Sequence, residues 1–290
     1  DEPVVQKIEK DKTKGLFVGV GGGIFTSTDG TSWTEITSGK SPNLFAVTYG
    51  NGLFVTVGER GTILTSPDGG LWTIAYCGYC TPGGLTVVFE RPDVTYEYLR
   101  GVTYGNGLFV TVGDSGTILT SSDGTTWTTR TSGTSDLLLG VTYGNSTFVT
   151  VGYLGTILTS SDGTTWTERT SGTSKYLNRV TYGNGLFVSV GWKGTILTSS
   201  DGTTWTSKTS GTSYDLIGVT YGNGLFVTVG SSGTILTSSD GNSWTERSSG
   251  TSNPLYGVTY GNGLFVTVSM KEPILTSSDG NSWTERTSGT

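Results

Sequence analysis

From about residue 15 onward, short apolar runs alternate with glycine-containing turns to the end of the chain. Residues 101–134 read GVTYGNGLFVTVGDSGTILTSSDGTTWTTRTSGT, with runs VTY, LFVTV, TILT and TWT rich in β-branched and aromatic side chains. Asn106-Gly107, Gly113 to Gly116 and Asp123-Gly124 separate them. Asn-Gly and Asp-Gly supply the positive φ that tight hairpin turns require. The pattern predicts four short strands, A to D from inside outward, in an antiparallel meander. The runs are nearly continuous rather than alternating, as expected when both faces of a sheet are covered.

The unit repeats. Tryptophan in the phrase S-x-D-G-x-x-W recurs at Trp33, Trp72, Trp127, Trp166, Trp205, Trp244 and Trp283, 39 residues apart except for one interval of 55. The phrase YGN recurs at Tyr49, Tyr104, Tyr143, Tyr182, Tyr221 and Tyr260. A period near 40 with two hairpins per unit is the mark of a propeller blade, and no blade buries its faces alone. The expected fold is all-β: a seven-bladed β-propeller of four-stranded antiparallel blades over residues 15–290. Residues 1–14 form an N-terminal segment, either the first strand, supplied by Val4, Val5 and Ile8, or a stalk. A β-hairpin insertion over about 76–99 follows the second repeat turn.

Composition narrows the function. The chain of 290 residues has 47 glycines, no histidine and a net charge of −6. Without histidine, Ser-His-Asp and Cys-His nucleophile systems and the usual zinc sites are excluded. The acidic balance gives no footprint for nucleic acid, and no stretch has the roughly 18 apolar residues of a membrane span. No cofactor and no metal are expected.

At SSDGTTW the chain resembles the Asp-box repeat of bacterial sialidase and BNR-like propellers, and the related boxes of photosystem II assembly-factor propellers. The common box is S-x-D-x-G-x-T-W, whereas here glycine follows the aspartate directly. The resemblance implies a structural turn between strands C and D, away from the ligand site. Turn chemistry agrees: Asp29, Asp68, Asp123, Asp162, Asp201, Asp240 and Asp279 are expected to accept backbone N–H groups in their own turns, with tryptophan packing between blades. Sialidase activity is not implied. Its chemistry needs converging arginines and a Tyr–Glu nucleophile, whereas Arg130, Arg169, Arg247 and Arg286 stand at equivalent outer-strand positions on the rim. Glu168, Glu246 and Glu285 beside them protect an exposed edge.

The units differ from one another at the B–C tips and the D–A connections, which in an up-and-down meander emerge on one face of the ring. Loops on a rigid scaffold carry binding residues, and aromatics are enriched where partners are held. Phe45, Tyr153, Trp192, Tyr176, Tyr214 and Tyr256, with Arg60 and Lys193, are the candidate ligand-binding set. Cys77 and Cys80, in the insertion, have no helix after them and no further Cys or His to complete a metal site. They are expected to form a disulfide, in keeping with an extracellular, cell-surface or periplasmic setting.

The reading that follows is a non-catalytic, exported, monomeric ring that binds a glycan or surface macromolecule through the variable face, as an adhesion module. Three alternatives stand beside it: a structural head of an extracellular appendage, an assembly factor that docks a protein, and a glycosidase. The last would need two carboxylates at working separation, for which Asp114, Asp136 and Asp215 are the candidates.

Overall fold

In a computed structural model, residues 7–10 (backbone), 15–36, 42–76, 96–269 and 274–286 are described. The protein is a seven-bladed β-propeller, each blade a four-stranded antiparallel sheet in simple meander order. Blade 4 is representative, with strands Leu138–Gly144, Thr147–Gly152, Ile157–Ser160 and Thr167–Arg169 from the axis outward. Its A–B turn has Asn145 and Ser146 at φ 46° and 57°, the two positive-φ positions of a tight hairpin turn. Blades 2, 3, 5, 6 and 7 carry Asn-Gly at the same place.

Hydrophobic burial lies between blades, not within them. Val110, Val112 and Ile118 of blade 3 pack on Leu138, Val141, Phe148 and Leu158 of blade 4, with Trp166 partly buried at the outer end. Burying a phenylalanine such as Phe148 contributes about 1.5–3 kcal/mol. Inner strands approach closely: a Cβ added at Gly105 would overlap the Tyr143 ring of the next blade.

The ring closes by the same packing. Val266, Val268 and Ile274 of blade 7 meet Phe17, Phe25 and Trp33 of blade 1, and the Asn262 amide donates to the Gly15 carbonyl at 2.7 Å. Lys7–Lys10 is the inner strand of blade 1, pairing Lys7 with Val20 and Lys10 with Phe17. Each blade is therefore one contiguous segment, and no blade is shared between the two ends of the repeat. Val4 and Val5 lie outside the described residues, as do Cys77, Cys80 and most of the insertion. Leu99, expected in that hairpin, instead begins the inner strand of blade 3 (Leu99–Gly105) and is fully buried.

The inner strands begin earlier than the turn pattern implied. Phe45, Arg100, Leu139, Asn178, Ile217 and Tyr256 are second residues of inner strands, not connection residues. At each of them the register with strand B slips by one residue. These are β-bulges, which free one side chain from the pairing pattern and re-aim it. That freedom is why the position varies from blade to blade inside an otherwise repeated strand.

Candidate functional site

The Asp boxes are built from their own turns. In blade 3, Asp123 Oδ1 accepts the backbone N–H of Thr125 at 2.8 Å and of Thr126 at 2.7 Å, and the Ser121 hydroxyl at 2.9 Å. The Ser121 oxygen accepts the buried Gly124 N–H at 2.8 Å, and Trp127 Nε1 donates to the Gly124 carbonyl at 3.0 Å. The pattern recurs at Asp29, Asp68, Asp162, Asp201, Asp240 and Asp279. Backbone N–H bonds hold the Asp29, Asp123, Asp240 and Asp279 carboxyls below the ordinary carboxylate range. At Asp162 and Asp201 a threonine hydroxyl is the first cause and the backbone the second. These aspartates are occupied with their own turns.

The opposite face carries the variation. Its B–C tips are single tight turns with a non-glycine residue in the left-handed region, at Arg60, Ser115, Leu154, Lys193 and Ser232. Each tip is tied to the chain entering its own inner strand. Glu59, Asp114, Tyr153, Trp192 and Ser231 donate backbone N–H bonds of 2.8–3.0 Å to Asn43, Tyr98, Leu137, Tyr176 and Asp215. Gly191 makes this closeness possible in blade 5, since a Cβ there would overlap the Tyr176 carbonyl. Two variable segments per blade are thereby fused into one rigid edge.

Three candidate aromatics come together. Tyr153 of blade 4 and Tyr176 of blade 5 have ring centroids 4.2 Å apart, and Tyr176 and Trp192 3.8 Å at an interplanar angle of 33°. Trp192 remains 41% exposed. A hydrogen bond with Tyr153 and partial burial hold the Tyr176 phenol above its ordinary value. Two shallow grooves lie along the same two blades, share Gly172 and Thr173, and are not lined by the three rings. One of about 540 Å³ runs along blade 4 past Asp136, Leu154, Glu168 and Arg169. The other, about 490 Å³, runs along blade 5 past Lys175, Ser207 and Lys208.

Phe45 joins a second cluster that sequence reasoning missed. Its ring lies 5.9 Å from Tyr98, and the Arg100 guanidinium sits 4.8 Å and 5.0 Å from the two ring centroids. Arg100 forks onto Asp114, Nε to Oδ1 at 2.7 Å and Nη2 to Oδ2 at 3.0 Å. A comparison of the bulge and tip positions of one blade would have found this pair. Tyr214 is exposed, Tyr256 is half-buried, and Arg60 and Lys193 are exposed at tip turns. None of these four joins the three-ring cluster.

The glycosidase candidates stand on three different blades in local roles. Asp114 binds Arg100, Asp136 accepts the Thr156 hydroxyl at 2.7 Å, and Asp215 accepts the Lys193 N–H at 2.8 Å. Arg130, Arg169, Arg247 and Arg286 each donate from Nε to a strand C threonine of their own blade. They lie on outer strands and do not converge. Among the described residues no group of three or more carboxylates and cysteines is placed to hold a metal.

No protein-family model matches the chain, and no curated protein matches it by sequence. Solved structures do. The protein is similar to "YCF48 bound to D1 peptide" with TM-score 0.71 and 17% identity, over 94% of this chain and 92% of that one. It is similar to "YCF48 from Cyanidioschyzon merolae" with TM-score 0.70 and 17% identity, over 97% of both chains. At this identity the likeness concerns the fold alone.

Proposed function

We propose that the protein is a non-catalytic docking module that holds a polypeptide segment of a partner across its variable face. The stacked Tyr153–Tyr176–Trp192 cluster carries this reading. A rigid, half-exposed aromatic ridge is the kind of surface at which partners are anchored. Grooves along the same two blades, one with Asp136, Glu168 and Arg169 and the other with Lys175 and Lys208, offer charged groups to a segment that runs on from the rings. The structurally similar YCF48 is described as bound to a D1 peptide, which favours a protein partner over the glycan expected from sequence.

A displayed random-peptide library panned against the ring, in parallel with a glycan array, tests the reading. Peptides should be enriched, and the Tyr176→Ala/Trp192→Ala double variant should release them. Enrichment of glycans with no peptide would overturn it and restore the glycan-binding reading expected from the sequence.

A further inference from the structure

The axis of the ring encloses a cavity of about 160 Å³, walled by inner strands. Among the inner strands of blades 2 to 7, the third residue, at the variable-face end, is small in five: Ala46, Gly101, Gly140, Gly218 and Gly257. Blade 5 alone among these six has Arg179 there. The same blade also departs from the repeat beneath it. Thr56, Thr111, Thr150, Thr228 and Thr267 donate to the carbonyl of that third residue, but Ser189 takes this place in blade 5 and donates to Arg179 at 3.1 Å.

Arg179 lines the cavity and is half-buried. Burial and then the neighbouring Arg100 pull it down to about 10. Nη1 donates to the Leu139 carbonyl at 2.7 Å and the Asn178 carbonyl at 2.9 Å. Among the described residues the Nε–Nη2 edge has no acceptor, and no carboxylate lies on the cavity wall. Arg100 uses that same edge to fork onto Asp114. A half-buried charge with no counter-charge among the described residues is costly, and planar bidentate pairing with a carboxylate is what this edge is shaped for.

We propose that the axial cavity is an anion site in which Arg179 receives a single carboxylate presented from the variable face. The volume fits such a group and falls below the ~300 Å³ of ordinary small-molecule pockets. The Thr48, Thr103, Thr142, Thr181, Thr220 and Thr259 positions below it on the wall offer only neutral hydroxyls. The inference stands apart from the docking reading, because a small acid can occupy the site whether or not a polypeptide docks.

The first inner strand holds one internal rival. Register places Glu9 of the first inner strand opposite Val18, the position that the other blades fill with these threonines. The test therefore uses three proteins. The Nε–H resonance of Arg179, assigned by its loss in Arg179→Ala, is followed by NMR while sodium acetate replaces chloride at constant ionic strength. A saturable shift is expected in the wild-type protein and in Glu9→Gln alike. Acetate should also raise the thermal midpoint of the wild type but not of Arg179→Ala, since a ligand of the native state alone stabilises it. Peptides with an aspartate or its asparagine counterpart, and with a free or amidated chain end, then separate a side-chain carboxylate from a terminal one. A resonance unmoved by acetate, or one moved only in Glu9→Gln, would overturn the proposal.

Discussion

Tyr176 and Trp192 are joined twice, by rings 3.8 Å apart and by a 3.0 Å hydrogen bond from the Trp192 N–H to the Tyr176 carbonyl. One residue enters the inner strand of blade 5 and the other caps its B–C tip. The backbone bond holds the tip in place whatever the side chain is. The aromatic ring adds surface that the fold does not need.

That separation predicts a split phenotype. Trp192→Ala should weaken peptide binding at least about tenfold, while moving the thermal midpoint by no more than about 2 °C. Calorimetric titration beside thermal unfolding checks both halves. A large loss of stability would make the ring part of the scaffold.

The Asp boxes predict the reverse. Ser121→Ala removes the acceptor of the buried Gly124 N–H and a donor to Asp123. Leaving a buried donor unsatisfied costs about 1–3 kcal/mol. Urea unfolding should show this loss, with peptide affinity per folded molecule unchanged.

Acid should act through the same turns. The Asp29, Asp123, Asp162 and Asp201 carboxyls lie well below their ordinary value in the folded ring, and Asp240 and Asp279 are lowered too. Unfolded aspartates titrate near ~3.9. Their contribution is therefore complete above about pH 5 and is lost as pH falls through 4 toward the depressed folded values. Urea midpoints measured between pH 7 and 2 should drop in the acid range. Asp123→Asn should start lower at neutral pH and fall less.

Blade 4 offers a stabilising change. Ser146 holds φ 57° where blades 2, 3, 5, 6 and 7 have glycine. A left-handed non-glycine residue costs about 1 kcal/mol, so Ser146→Gly should raise stability by an amount of that order. Gly105→Ala should do the opposite, by more than ~2 kcal/mol, because its methyl group meets the Tyr143 ring of the next blade. Thermal and urea unfolding of the two variants checks the pair.

The architecture was legible because each blade repeats its turns and apolar runs, and no blade is stable alone. Strand starts were less so. The bulged residue of each inner strand, such as Asn178 or Tyr256, breaks the pairing pattern and reads as loop. Lys7–Lys10 shares nothing with VTYGN, and only its pairing with Phe17–Val20 identifies it. At the proposed site, variation between copies pointed to the face on which Tyr153, Tyr176 and Trp192 meet. It did not show which aromatics meet, because Tyr153 reaches Tyr176 only through the packing of blade 4 on blade 5, and Trp192 reaches it only through the folding of the blade 5 tip onto its own inner strand. Arg179 was hidden among variable residues, though a column of Ala and Gly at its position was visible.

The most direct test of the docking account is a crystal structure of the ring with its tightest selected peptide. The account predicts the peptide on the variable face, in contact with Tyr153, Tyr176 and Trp192. A peptide seated on the Asp-box face, or along the outer strands with these three rings still open to solvent, would contradict it.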